Sequence, residues 1–306
     1  MNNQQSILKN YLDFCQYQKR LDEKTLKAYR IDLTQFLSSL SCDTFSDVTP
    51  TILEAFISSL HKSYKPKTVK RKIASLKAFF HYLEYRDLIK INPFNKVQIK
   101  FREPVILPKT IPLHTIETFF ATLYAQQSRI KTSHQRKNLL RDIAVTELLF
   151  ASGMRISELC SLRPNDINLQ DRVILIYGKG SKERRIQLGN DAVVNALISY
   201  RHEFETDIHR CSYFFVNRLG ERLSEQSVRS MINKYASLAS IDQHITPHMF
   251  RHSFATYLLE ADVDIRYIQE MLGHSSITVT EIYTHVAMAK QKDILTTKHP
   301  RKNFNI

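Results

Sequence analysis

The sequence has few cysteines and no long apolar segment, and each absence argues against a class of protein. Its four cysteines, Cys15, Cys42, Cys160 and Cys211, are scattered without CxxC spacing, which indicates neither a disulfide framework nor a zinc knuckle. No stretch approaches the roughly 20 apolar residues that a transmembrane helix needs. The polar start MNNQQS is not typical of a signal peptide. We therefore expect a cytoplasmic protein without a membrane segment.

Acidic residues are scarce relative to basic ones. The chain has 44 Lys and Arg against 30 Asp and Glu, a formal net charge of +14. Such an excess attracts polyanions, including nucleic acids, although charge alone is equally compatible with a basic soluble enzyme. At 306 residues the chain exceeds one average domain, and two domains are the natural expectation.

Residues 1–92 carry helical patterns and little sign of strand. Apolar residues recur at helical spacing in four segments, which predicts a helical N-terminal domain. The fourth segment begins with a basic cluster: Lys67, Lys70, Arg71, Lys72 and Lys77. A charge run of this kind is usually a solvated face, but cations without intervening acids also suit a DNA backbone or groove. The DNA contact is favoured only if the rest of the chain also acts on DNA.

The remaining chain divides into a linker, a larger domain and a tail. Prolines interrupt residues 93–110, where periodicity is weak, and this predicts an interdomain linker. We expect a second domain over residues 111–290 and a tail over residues 291–306. The polar stretch 126–138 is expected to be a loop.

Two β-rich runs flank a turn in the second domain. Val173–Tyr177 and Arg184–Leu188 enclose the letters GKGSKE, a pattern that predicts a β-hairpin. Lys179 lies at its tip, and Lys182 is a nearby rival for any role there. Earlier in the chain, Arg155 begins a predicted helix, and Glu158 follows one turn later at ion-pair distance. An ordinary surface salt pair has the same spacing. The fold class is therefore mainly α with a small β-hairpin.

The most informative stretch runs from residue 246 to residue 285. Thr246 and Pro247 form a typical helix start, after which His248 and Arg251 share one helical face. A second helix is expected to stop at Gly273, a residue suited to the left-handed position after a helix.

Two further polar residues follow that stop. His274 comes directly after it, and a capping-box pattern from Thr278 to Glu281 places Tyr283 in the first turns of a third helix. The planar guanidinium of arginine can donate two parallel hydrogen bonds to a phosphate. Histidine can accept or donate a proton near neutral pH, and the phenolic oxygen of tyrosine can attack phosphorus. Each of these residues, taken alone, is more often structural.

A zinc site is a competing interpretation. His244, His248 and His252 recur every four residues and could align on a helix. Pro247 interrupts that alignment, and neither cysteine nor a carboxylate completes the ligand set.

Several spaced motifs resemble one family. The stretches TPHMFRHSFAT, LGHSSI and IYTHV closely resemble the C-terminal boxes of tyrosine site-specific recombinases of the phage integrase family, especially the Xer type. ASGMRISEL and GKGSKER resemble its earlier boxes. The resemblance implies a helical core-binding domain that clamps DNA and an α+β catalytic domain. It also implies six active-site residues: Arg155, Lys179, His248, Arg251, His274 and Tyr283.

The resemblance further implies a mechanism and partners. Tyr283 would cut DNA through a 3′-phosphotyrosyl intermediate, with Lys179 protonating the leaving oxygen and His248 accepting the tyrosine proton. No metal, ATP or other cofactor is expected. The partners would be a double-stranded recombination site, a homo- or hetero-tetramer whose tails contact neighbouring subunits, and accessory proteins.

The expected task is Xer-like dimer resolution or the integration and excision of a mobile element. A type IB topoisomerase and a catalytically silent DNA-binding regulator are the alternatives.

Overall fold

The computed structural model describes residues 3–98, 109–178 and 183–273. These residues fall into two compact units, Met1–Val105 and Ile106–Ile306. The described part of the first unit is helical, and that of the second combines helices with a three-stranded antiparallel sheet. The predicted fold class, mainly α with a small sheet, is confirmed. Every helix in the described ranges is too short or too polar to cross a bilayer.

The described part of the first unit contains four α-helices. They are α1 (Asn3–Tyr17), α2 (Glu23–Ser39), α3 (Pro50–Ser63) and α4 (Pro66–Tyr85). Their starts follow local capping chemistry: the Asp22 carboxylate accepts the Thr25 backbone N–H at 2.8 Å, and Thr49 caps α3 ahead of Pro50. Side-chain caps therefore fix where α2 and α3 begin.

Aromatic rings form the centre of the first unit. Phe36, Phe79 and Phe80 are fully buried, and the rings of Phe36 and Phe80 meet edge to face at 5.8 Å. A 3₁₀ turn, Pro93–Lys96, adds Phe94, whose ring centre lies 5.6 Å from that of Phe80. The start of the predicted linker is thus part of this core. Residues 99–108 lie outside the described residues.

The second unit contains eight α-helices in its described part. They are α5 (Leu113–Ala125), α6 (Ser133–Ser152), α7 (Ile156–Leu159), α8 (Asp191–Glu203), α9 (Glu205–Cys211), α10 (Glu225–Leu238), α11 (Pro247–Glu260) and α12 (Ile265–Leu272). The polar stretch 126–138 is a 3₁₀ turn followed by the first turns of α6. The expectation of a loop is wrong here because the Thr132 hydroxyl caps the Gln135 N–H at 3.2 Å, so the helix begins earlier than its apolar residues suggest.

The sheet confirms the predicted hairpin. Strands β1 (Ile167–Asn168), β2 (Val173–Tyr177) and β3 (Glu183–Gln187) lie in the order β1-β2-β3. The register pairs Ile174 with Ile186, and both side chains are buried. Because side chains alternate along a strand, residue 184 lies on the same face of β3 as Ile186. The tip residues 179–182 lie outside the described residues.

Candidate active site

Arg155 lies where α6 gives way to α7. Helix α6 ends at Ser152 and is capped by Gly153, whose φ of 57° is left-handed, a conformation that glycine adopts without steric cost. Arg155 is then the N-terminal cap of α7, and its Nη1 donates to Glu158 Oε1 at 2.8 Å. The backbone N–H of Arg155 donates to the other carboxylate oxygen at 2.8 Å. The predicted contact is confirmed, and the guanidinium is held from one side while its side chain stays partly exposed.

Glu158 is a buried carboxylate that remains ionised. Burial alone would raise the pKa of Glu158, but hydrogen bonds from Arg184 and Arg155 outweigh burial and lower the pKa below its ordinary value. This charged carboxylate accepts one charge-assisted hydrogen bond from the Arg155 guanidinium and one hydrogen bond from its backbone N–H. Glu158 therefore fixes the direction of Arg155.

Arg184 is a site residue that sequence reasoning missed. Its Nη2 and Nη1 donate to the two oxygens of Glu158 at 2.7 Å and 3.1 Å, and its Nε donates to the carbonyl of Met271 at 2.8 Å. A signal was present in the strand pattern, because Arg184 and Ile186 share the inward face of β3. An arginine on an inward face needs buried partners.

Arg251 is buried in α11 and joins two helix ends. Only 4% of its surface is exposed, and its Nη1 donates to the carbonyl of Gly153 at 2.8 Å. Its Nη2 donates to the carbonyl of Leu272 at 2.7 Å. These carbonyl contacts fix the guanidinium without adding a negative charge. Arg251 is thereby tied to the turn that leads to Arg155.

His248 lies in the first turn of α11, where Thr246 caps the helix as predicted. Burial lowers the pKa of His248, and the positive charges of Arg251, Arg229 and Arg155 lower it further. The imidazole is therefore neutral near pH 7, the form that can accept a proton.

His252 lies one turn after His248. Burial, with smaller effects of His248 and Arg251, lowers the pKa of His252 to about 4. Helix α11 begins only at Pro247, so His244 precedes it and does not share its face with the other two histidines. In the described ranges, no group of three or more His, Cys, Asp or Glu side chains is arranged to hold a metal ion.

The structure brings together three of the six catalytic candidates. Arg251 bonds the carbonyl two residues before Arg155, and both arginines act electrostatically on His248. The predicted helix stop is confirmed at Gly273, whose φ is 65°. Three further candidates lie outside the described residues: Lys179, His274 and Tyr283.

The basic cluster of α4 in the first unit is only partly a surface feature. Four of its members are exposed: Lys67, Lys70, Arg71 and Lys77. Lys72 is 4% exposed, and its Nζ donates to Asp32 at 3.0 Å and to Gln35 at 2.6 Å. The prediction that Lys72 belongs to the exposed face is wrong, because it sits on the inward side of α4 opposite a buried carboxylate. A buried ammonium requires such a partner.

Comparisons with known proteins cover nearly the whole chain. The phage integrase family model matches residues 123–290, and the phage integrase N-terminal SAM-like domain model matches residues 8–87. A tyrosine recombinase of Agathobacter rectalis is 63% identical and is covered over its full length, as is this chain. Tyrosine recombinase XerD of Listeria innocua is 36% identical over 96% of this chain and 99% of its own.

A solved structure shares the fold. The XerH site-specific recombinase bound to a palindromic difH substrate superposes with a TM-score of 0.76 at 22% identity. The match covers 95% of this chain and 83% of that one.

Proposed function

The chain belongs to the phage integrase family of tyrosine recombinases, and from this premise we propose how its own residues cut and rejoin DNA. The resemblance of the sequence motifs is confirmed by that membership. The protein is a site-specific recombinase, an enzyme of DNA strand exchange.

The proposed mechanism depends on one observation: hydrogen bonds hold the guanidinium groups of Arg155 and Arg251 in place in the same part of the second unit. Glu158 holds Arg155, and the carbonyls of Gly153 and Leu272 hold Arg251. Phosphoryl transfer asks a protein mainly for positioning and for stabilisation of charge on the non-bridging oxygens. Two fixed guanidiniums can supply both, since a guanidinium binds phosphate oxygens through a planar set of N–H donors.

The reaction exchanges one phosphoester bond for another. The phenolic oxygen of Tyr283 attacks the scissile phosphorus, the bond from phosphorus to the 5′ oxygen breaks, and a 3′-phosphotyrosyl link forms. His248 accepts the phenolic proton, and Lys179 donates a proton to the departing 5′ oxygen. His274 adds a hydrogen bond to a non-bridging oxygen.

Rejoining reverses these roles. The 5′-hydroxyl of a partner strand attacks the link, and the bond between phosphorus and the tyrosine oxygen breaks. Because each step replaces one ester by another, the cycle needs neither ATP nor a metal ion. The neutral state of His248, which burial and neighbouring arginines favour, supports its role as the base.

The DNA partner is held by both parts of the chain. We assign a helical core-binding domain to residues 1–92, and the turn Pro93–Lys96 at the start of the predicted linker 93–110 packs with it. We assign a catalytic domain to residues 111–290 and a tail for subunit contact to residues 291–306. The exposed cations of α4, namely Lys67, Lys70, Arg71 and Lys77, bind the phosphate backbone, and Lys72 is withdrawn from this set. Four subunits assemble on the recombination sites in the cytoplasm.

The biological task is Xer-like resolution of DNA dimers. Full-length similarity to XerD and XerC proteins supports this role. Integration or excision of a mobile element uses the same parts and is the second outcome that the following experiment distinguishes.

Trapping the covalent intermediate tests the chemistry and the target together. The chain is expressed in cells, the lysate is denatured, and DNA that remains bound to the protein is sequenced. We expect one recurrent chromosomal site, attached through Tyr283, whereas a site at the ends of a mobile element would assign integration or excision instead. Tyr283→Phe should remove the adduct, whereas Tyr267→Phe, a change at a tyrosine exposed on α12, should keep it. An adduct that survives Tyr283→Phe, or none with the unchanged chain, contradicts the proposal.

A further inference from the structure

Arg184 lies where three segments of the second unit meet. It extends from β3, and its side chain is almost completely buried. Its guanidinium bonds both oxygens of Glu158, 26 positions earlier, and the carbonyl of Met271, 87 positions later. One side chain thus joins the hairpin, the start of α7 and the end of α12.

The contact with the end of α12 is close. A Cβ atom added at Gly273 would lie 3.1 Å from both Cδ and Nη1 of Arg184, which is tighter than ordinary van der Waals contact. The guanidinium therefore packs directly against the turn that closes the helix. In this turn the Met271 carbonyl accepts from Arg184, and the Leu272 carbonyl accepts from Arg251.

A purely structural role accounts poorly for this arrangement. A buried ion pair is weak evidence for stability, because desolvating both charges offsets their attraction, and apolar replacements are often neutral or stabilising. Arg184 directs three N–H donors at two separate acceptor groups, the Glu158 carboxylate and the end of α12. Each of these groups also holds an arginine that is a candidate for binding phosphate. Glu158 orients Arg155, and the end of α12 orients Arg251.

We propose that Arg184 is a positioning residue. It fixes the positions of the Arg155 and Arg251 guanidiniums relative to each other, so that both reach the same scissile phosphate. The inference rests on the proposed function, in which these two arginines bind that phosphate. Arg184 itself does not touch the DNA. It acts through Glu158 on one side and through the α12 end on the other.

This role affects the rate of cleavage more than the binding of DNA. DNA affinity is spread over many phosphate contacts, whereas charge stabilisation in the transition state depends on the convergence of the two arginines. Lysine at this position would keep a positive charge but could not replace the fork that bonds a carboxylate and a carbonyl together.

The experiment compares Arg184→Met with Arg185→Met in the full-length chain. Arg185 is the next residue of β3 and is exposed, so it is a matched control. The probe is a synthetic duplex with the sequence recovered by covalent trapping. At saturating protein, we expect Arg184→Met to lower the single-turnover cleavage rate by about 100-fold or more. The Kd for the duplex should change less than about threefold, and Arg185→Met should cleave at the unchanged rate.

A second substrate separates positioning from a general structural defect. In a duplex with a methylphosphonate at the scissile position, a methyl group replaces one non-bridging oxygen and the negative charge is absent. The two arginines then have less negative charge to stabilise, so their relative position has a smaller effect on the rate. The rate deficit of Arg184→Met should therefore shrink at least about tenfold. An equal deficit on both substrates, or a normal rate on the phosphate duplex, overturns the proposal. If Arg184→Met does not fold, Arg184→Lys and Arg184→Gln carry the same comparison.

Arg155→Met distinguishes failure of this inference from failure of the proposed function. Its deficit on the phosphate duplex should also shrink on the methylphosphonate duplex, because it removes a phosphate-binding group directly. If Arg155→Met cleaves normally, the proposed function fails. If Arg155→Met behaves as expected and Arg184→Met does not, only the role of Arg184 fails.

Discussion

Two buried carboxylates, Asp32 in the first unit and Glu158 in the second, organise basic side chains in the same way. Each holds one buried cation and one partly exposed arginine, so that two positive charges face one negative charge. The exposed fractions of the cationic side chains are 6% for Lys72 and 45% for Arg71 around Asp32, and 8% for Arg184 and 36% for Arg155 around Glu158. In both units a buried ion pair holds the arginine that is partly exposed to solvent.

The two clusters differ in what they connect. The donors to Asp32 come from one helix, α4, as Arg71, Lys72 and Ser75, and the cluster therefore fixes α4 to α2. The donors to Glu158 come from separate segments, and one of them continues to the end of α12. We propose that the Glu158 cluster supports catalysis, because its fixed arginine is joined by a second arginine and a neutral histidine. We propose that the Asp32 cluster, whose hydrogen bonds among the described residues include no second arginine and no histidine, supports DNA binding.

The largest expected difference between the clusters is in cleavage. Arg251→Met removes a buried guanidinium and the hydrogen bonds that join α6 to α12, and we expect the single-turnover rate to fall by about 10²- to 10³-fold. Arg71→Met should weaken DNA binding, and the rate at saturating protein should stay unchanged. Single-turnover cleavage and duplex titration measure both. An equal fall in the saturating rate of Arg71→Met would remove the distinction between the clusters.

A difference of comparable size is expected in stability. Asp32→Asn leaves Lys72 buried without its carboxylate, which typically costs about 3–5 kcal/mol. Hydrogen exchange of the α2 and α4 amides in the full-length chain should show the loss, with Asp13→Asn, a change at an exposed carboxylate of α1, as control. Protection equal to that of the unchanged chain would mean that Lys72 finds another partner.

A smaller effect is expected where α6 meets the Arg155 turn. In Gly153→Ala the new Cβ would lie 2.5 Å from Cδ1 of Phe254, and the left-handed conformation itself costs roughly 1–2 kcal/mol for other residues. The Gly153 carbonyl that holds Arg251 should shift, and cleavage should fall about tenfold, the effect of a lost interaction worth about 1.4 kcal/mol. Gly189→Ala has no neighbouring atom within 4 Å of its Cβ and should match the unchanged chain. Normal cleavage by Gly153→Ala would show that this carbonyl is dispensable.

The smallest expected effect is on pH dependence. Arg229 lowers the pKa of His248, so Arg229→Met should raise that pKa. A base must be deprotonated to act, and the acid limb of the cleavage rate should therefore move to higher pH. A pH series of single-turnover rates measures the shift, with Arg201→Met on the exposed face of α8 as control. A limb that stays in place, or moves to lower pH, argues against His248 as the base.

Sequence reasoning succeeded where the chemistry is local. The Arg155 contact with Glu158, the cap at Thr246 and the stop at Gly273 each depend on residues within a few positions of one another. It failed where partners are distant: Lys72 is buried by a carboxylate 40 positions earlier, and Arg184 bonds a carbonyl 87 positions later. A charge pattern along one helix cannot reveal which of its members meets a carboxylate on another.

A crystal structure of the Tyr283→Phe chain bound to the recovered duplex tests the central claim most directly. We predict that the guanidiniums of Arg155 and Arg251 donate to non-bridging oxygens of one and the same phosphate at about 2.7–2.9 Å, with Glu158 still bonded to Arg155. A complex in which the two arginines contact different phosphates, or in which neither reaches the scissile one, would contradict the account.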